Sequence, residues 1–146
     1  MARQGDADLQ RVIESAIAEH GVESAVVFAL RPGSSALELA AAACIEGPAL
    51  ERLAAAVRNP AHPITRTIED DAATFDVQPT APGGPALRSH LPLVARDDGR
   101  RSVAGVLAVA HQHRLDPDSR RVLERLADTA AALLGRPAQR ESDESG

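Results

Sequence analysis

Two apolar runs on either side of a single Asp-Gly pair constrain this fold more than any other feature. Ala86–Ala95 and Ser102–His111 are joined by Arg96-Asp97-Asp98-Gly99-Arg100. Asp-Gly favours the backbone of a tight hairpin turn, although this connection is longer than two residues. The runs therefore read as two antiparallel strands. Pro92 lies inside the first run and has no N–H for a ladder, so an edge position or a bulge is expected there. Directly after the second run comes Leu115-Asp116-Pro117-Asp118, the clearest helix start in the chain. Asp116 is the expected N-cap, Pro117 suits the first helical position, and Asp118 favours the positive end of the helix dipole. Val122, Leu123, Leu126, Ala130, Leu133 and Leu134 supply an apolar stripe, and Gly135 ends it.

The first half reads in the same way. Leu9, Val12, Ile13, Ala16 and Ile17 make a one-sided stripe, with Asp6 or Asp8 as cap and Gly21 as stop. Ala25–Leu30 is a short apolar strand, followed by a turn at Arg31-Pro32-Gly33-Ser34. Ala36–Cys44 has the propensity of a helix, but its shortness and the preceding turn make it a second strand. Pro48–Arg58 is a helix ended by Asn59-Pro60, and a helical turn follows at Pro63–Ile68. Thr74–Val77 precedes Gln78–Pro85, a loop with three prolines and two glycines in eight residues. The order is α-β-β-α-(α)-β-β-β-α. It predicts an α+β fold with the terminal helices on one sheet face and the middle helices and long loop on the other. The 146 residues form one domain over 8–135, with a flexible N-terminus at 1–7 and a disordered tail or linker at 136–146.

Composition removes whole classes of chemistry. All 16 basic residues are Arg, so no Walker A lysine and no Schiff base is available. Cys44 is the single cysteine, which excludes an intrachain disulfide, a CxxC pair and a cysteine zinc cluster. Phe28 and Phe75 are the only aromatics besides histidine, too few for a base-stacking platform, and the net charge is −5. Direct nucleic-acid binding is not expected. No apolar stretch approaches the length of a membrane span, and a cytoplasmic location is expected.

The segment Arg88-Ser89-His90-Leu91-Pro92-Leu93-Val94, the turn at Asp98-Gly99-Arg100, and Val103-Ala104-Gly105-Val106-Leu107-Ala108-Val109 precede Leu115-Asp116-Pro117-Asp118 and Leu123-Glu124-Arg125-Leu126-Ala127. Together they resemble the C-terminal half of a GAF domain. The earlier order agrees, and the resemblance runs from about Asp8 to Leu134. It implies an antiparallel sheet between helices, a regulatory role, a small-molecule pocket on the face opposite the terminal helices, and homodimerisation through those helices. The pocket segments would be Pro60–Val77, the Pro/Gly loop and the inner positions of Ala86–Ala95. The chain lacks the Asn-Lys-x-Asp-Phe-Asp-Glu signature of cyclic-nucleotide GAF domains and the Asp-Ile-Pro segment of phytochromes. The sulfoxide reductase branch uses several cysteines, and Cys44 has no resolving partner. The cofactor stays open.

Five residues are candidate ligand contacts, each beside a plainer reading. Arg88 and His90 share a strand face and would hold an anion, or simply face solvent. Arg66 and Thr67 lie in His62-Pro63-Ile64-Thr65-Arg66-Thr67, whose first amides would hold an anion, or His62 and Pro63 merely cap a helix. Phe75 would cover a ligand or pack in the core. Cys44 reads as a small buried hydrophobe. His111 and His113 share a strand side and begin a metal site only with a third ligand; otherwise they are a solvated strand end. Ser89 and His90 point to opposite faces, which rejects a hydrolase pair. The leading reading is a non-catalytic sensor with a small ligand. The alternative is a ligand-free dimerisation scaffold, favoured if Leu9–Ile17 and Val122–Leu134 carry more apolar surface than one sheet face buries.

Overall fold

A computed structural model describes residues 4–20, 22–30, 36–78, 87–97 and 99–145. Its elements are α1 (Gln4–His20), β1 (Val22–Leu30), β2 (Leu37–Ala43), α2 (Gly47–Ala56), α3 (Pro63–Asp70), β3 (Thr74–Val77), β4 (Leu87–Asp97), β5 (Arg100–His111) and α4 (Pro117–Ser145). The five strands form one antiparallel sheet in the order β2-β1-β5-β4-β3. This is the α+β architecture that the sequence pattern predicts.

The β4–β5 hairpin is tighter than expected. Its register closes on Asp97↔Arg100, with Gly99 at φ 78°. A left-handed residue next to the closing pair is what a short hairpin connection requires, and glycine adopts it without a Cβ penalty. β4 is an inner strand, but β3 pairs with it only as far as His90. Pro92 lies beyond that end, with β5 as its one partner strand among the described residues, and a register shift follows at Leu93/Val94. A missing N–H is tolerated there.

Alternation along the strands builds two cores. Ala25, Val27, Leu91, Leu93, Leu107 and Val109 face α1 and α4, meeting Leu9, Ile13, Leu123, Leu126 and Ala130. Val26, Phe28, Val106 and Ala108 face the other way, against Val57 and Ile64. At Gly105 β1 and β5 approach so closely that a Cβ would stand 2.1 Å from the Phe28 carbonyl oxygen. β2 is a strand despite its helix-forming composition, because β1 offers it a ladder and Ala41 and Ala43 are buried under α1. The Gln10 side chain then seals this edge strand. Its Nε2 donates to the Ala42 carbonyl (2.6 Å) and its Oε1 accepts from the Ala42 N–H (3.3 Å).

The helix ends follow local chemistry. Asp116 accepts from the Ser119 N–H at 2.7 Å and caps α4. His62 Nδ1 accepts from the Ile64 N–H and caps α3. Two boundaries differ from expectation. α1 begins at Gln4, inside the stretch expected to be flexible. α4 stays helical past Gly135 to Ser145, where a disordered tail was expected. Gly135 and Pro137 both lie within it: an interior glycine costs a helix about 1 kcal/mol and a proline about 3 kcal/mol, while Ala138, Gln139, Arg140 and Glu141 beyond them are good helix formers. The turn at 31–35, Gly21 and most of the Pro/Gly loop (79–86) lie outside the described residues.

Candidate functional site

The sheet face away from α1 and α4 carries a cavity of 520 Å³ under α2 and α3. Its origin is the pair of small residues that β5 places there. Ala108 stands between Val26 of β1 and His90 of β4; Ala110 stands between Ser24 and Arg88. One step along, the same face carries Phe28 and Val106, and there it is filled. Ile45, Ala49, Leu53 and Ile64 form the apolar wall, and Arg52, His62, Arg88 and His90 supply the polar groups.

Beside Glu23 and Ser24, the lining presents two guanidiniums and two imidazoles. His62 Nδ1 is occupied as an acceptor, so the neutral ring carries its proton on Nε2. Burial, then the Arg88 charge, holds this imidazole below its ordinary pKa. His90 is 3% exposed. Burial first, then the charges of His62 and Arg88, lowers its pKa to about 4, so it is neutral at pH 7. Thr74 Oγ1 lies 3.5 Å from His90 Nδ1, while Nε2 finds no partner among the described residues. Arg88 is half-buried and makes no hydrogen bond or ion pair with any described residue. Among the described residues Glu23 is the one carboxylate on the lining, and Gln112 Nε2 donates to it.

Of the five sequence candidates, Arg88 and His90 come together here. Arg66 is exposed on α3 and does not line the cavity. Thr67 is buried, but its hydroxyl donates to the Pro63 carbonyl (2.9 Å), one turn back in the helix. Phe75 lies on the opposite sheet face, packed against the α1–α4 core with the Arg120 guanidinium 4.8 Å above its ring. Period-two alternation in β3 accounts for this: Thr74 reaches His90, so Phe75 points away. Cys44 is exposed on the cavity rim rather than buried. It follows the last β2 residue at φ 61°, where the chain leaves the sheet for α2. His62 and Arg52 were not among the sequence candidates. His62-Pro63 was legible as a cap, but its contact with the cavity depends on how α3 docks.

The His111–His113 metal reading does not hold. β5 ends at His111, so the two rings do not share a strand face. His111 is buried and internally bonded: Nε2 lies 2.9 Å from Ser89 Oγ and Nδ1 lies 2.7 Å from the His113 carbonyl oxygen. Nδ1 must donate to that carbonyl, so Nε2 accepts from the Ser89 hydroxyl, whose oxygen accepts the Asp76 N–H at 3.1 Å. Among the described residues no three His, Cys, Asp or Glu side chains gather as a metal site. Ser89 and His90 do face opposite sides of the sheet, as expected. Asp76, at φ 59°, accepts from the Leu115 N–H (3.0 Å) and from Arg120 Nη2 (2.7 Å), tying β3 to the start of α4. Burial would raise its carboxyl pKa. The Leu115 bond, the Arg120 bond and charge, and His111 outweigh that and hold it below the ordinary value.

No family model and no curated protein matches the sequence. Solved structures match the fold. The GAF domain of a phosphoenolpyruvate-protein phosphotransferase from Coxiella burnetii superposes with a TM-score of 0.75 at 12% identity, covering 97% of this chain and 88% of that one. The second GAF domain of DevS from Mycobacterium smegmatis gives 0.68 at 19% identity, covering 94% and 98%. This chain has the GAF fold. Within the GAF fold, the cavity lies on the sheet face opposite α1 and α4, where the resemblance placed a pocket. A type II free methionine-R-sulfoxide reductase from Thermoplasma acidophilum is also similar to this GAF fold (TM-score 0.66, 11% identity, covering 89% and 92%), so the fold alone does not separate sensor from enzyme. No described helix is long and apolar enough to cross a membrane.

Proposed function

We propose that this GAF-fold domain is a non-catalytic, cytoplasmic sensor that binds a small molecule in the cavity above Ala108 and Ala110 and relays its presence through α1 and α4, as a homodimer joined by those helices. The observation that carries the reading is the cavity itself, in which Arg88 and the His90 Nε2 have no hydrogen-bond partner among the described residues, beside an apolar wall of Ile45, Ala49, Leu53 and Ile64. Ligand pockets combine such a wall with a few placed polar groups. A thiol cycle of the sulfoxide reductase kind needs a second cysteine, which this sequence lacks.

β3 supports the relay. Thr74 touches His90 on the cavity side, and two residues later Asp76 holds Leu115 and Arg120 on the α4 side. A ligand that draws on His90 would shift this four-residue strand and with it the start of α4, biasing one arrangement of the helices over another. The ligand-free scaffold has less support. It uses the same helix interface and leaves the cavity without a role.

Hydrogen–deuterium exchange tests the reading. The protein as purified from its host is compared with the same protein stripped by unfolding and refolding. Slower exchange in the purified form at 62–64, 74–77, 87–90 and the first turns of α4 is expected. Identical exchange in both forms would contradict a ligand-driven relay and favour the scaffold.

A further inference from the structure

The polar groups of the cavity are sorted along the strands. The row formed by Ser24, Ala110 and Arg88 is polar; the next, Val26, Ala108 and His90, is mixed; the one beyond it holds Phe28 and Val106. A molecule lying along this gradient meets a guanidinium at one end and aliphatic side chains at the other. Arg88 is half-buried, and the His62 and His90 rings face the same space. A guanidinium removed from water without a carboxylate partner is costly, and a bidentate anion is the group its planar fork fits. No Phe, Tyr or Trp lines the cavity, so no such ring stacks on a purine or a porphyrin.

Resting on the sensor reading above, we propose that the ligand is a small organic anion with an aliphatic body, its carboxylate on Arg88 and the His62 Nε2–H, its chain over Ala108 toward Leu53 and Ile64. His90 has two roles in this assignment. No described residue bonds its Nε2 and its ring lines the same space as the head group, and its burial keeps the ring uncharged, so the guanidiniums supply the positive charge there. Arg52, on the exposed side of α2, closes the polar rim. Inorganic phosphate shares the charge but not the apolar body, and a fatty alcohol shares the body but not the charge.

Isothermal titration calorimetry of the full chain, refolded free of endogenous ligand, separates these sources with octanoate, 1-octanol and inorganic phosphate as probes. Saturable octanoate binding is expected, with 1-octanol and phosphate each weaker by about tenfold or more, because a bond to a charged group contributes in that range. Arg88→Met should weaken octanoate by a similar factor and leave 1-octanol unchanged. Arg88 has no described partner to orphan, so the variant should melt with the wild type. Ala108→Leu should abolish octanoate binding; Ala110→Val replaces it if the leucine prevents folding. Equal binding of octanoate and 1-octanol, or an unaffected Arg88→Met, would overturn the anion assignment while leaving the cavity a ligand site. Octanoate binding that survives both cavity-filling variants would overturn the site itself. Absence of saturable octanoate binding would overturn the anion assignment.

Discussion

His90 gives the fold a measurable acid sensitivity. Its ring is 3% exposed, and its pKa falls from 6.5 in the unfolded chain to about 4 in the fold. A histidine depressed in this way contributes stability that is fully present above the unfolded pKa. That stability is lost as the pH falls from 6.5 toward 4, because the unfolded chain binds the proton first. The full difference corresponds to about 3 kcal/mol, and the part lost between pH 7 and pH 5 to about 2 kcal/mol. His62 acts with the same sign, and Arg88, Arg52 and Glu23 face the same space. All of these are shared with a His90→Gln variant, so the difference between the two proteins isolates one ring. Urea unfolding of both at pH 7 and pH 5 is the assay. The wild type should lose about 2 kcal/mol more than the variant over that interval. Parallel losses would mean that His90 is protonated in the fold without penalty, and that the cavity is wetter and less cationic than described.

Two further outcomes follow from single contacts. Gly105→Ala puts a methyl 2.1 Å from the Phe28 carbonyl oxygen, so β1 and β5 must part. The overpacking and broken ladder bonds should cost about 3 kcal/mol and lower Tm by roughly 10 °C in calorimetry. Asp76→Asn removes the charged partner of Arg120 and should destabilise by about 1–3 kcal/mol at pH 7. Because the carboxyl pKa is lowered in the fold, that stabilisation is present above the ordinary aspartate pKa and fades as pH falls through the folded value, so wild type and variant should converge in acid.

Much of this architecture was legible in the sequence because its signals are local. Asp-Gly between two apolar runs specified the hairpin, Asp116-Pro117 specified the start of α4, and period-two alternation put Arg88 and His90 on one face. What was not legible depended on register. That Ala108 and Ala110 sit opposite Val26, Ser24, His90 and Arg88 is a product of three strands pairing, and the cavity exists only because of it. Ser89 and His111 meet for the same reason: Ser89 pairs with Val109, which places His111 two residues along the partner strand on the same face. Phe75 was open to two readings, covering the pocket that it stands near in the chain or packing in the core, and it packs in the core. The side of the sheet that it takes follows from Thr74 reaching His90, and Asp76 then turns at φ 59°. Cys44 reads as a buried residue from its apolar neighbours, but it occupies the turn that ends the strand. Gly135, with Pro137 two residues on, reads as a helix stop, yet α4 continues to Ser145.

The central claim is that the space above Ala108 holds a ligand. Native mass spectrometry of the wild type and of Ala108→Leu, both purified from the same host, tests it most directly, with an absorption spectrum of each. The account predicts a small-molecule mass retained by the wild type and absent from the variant at equal folding. The same bound mass in both proteins, or none in either, would contradict it.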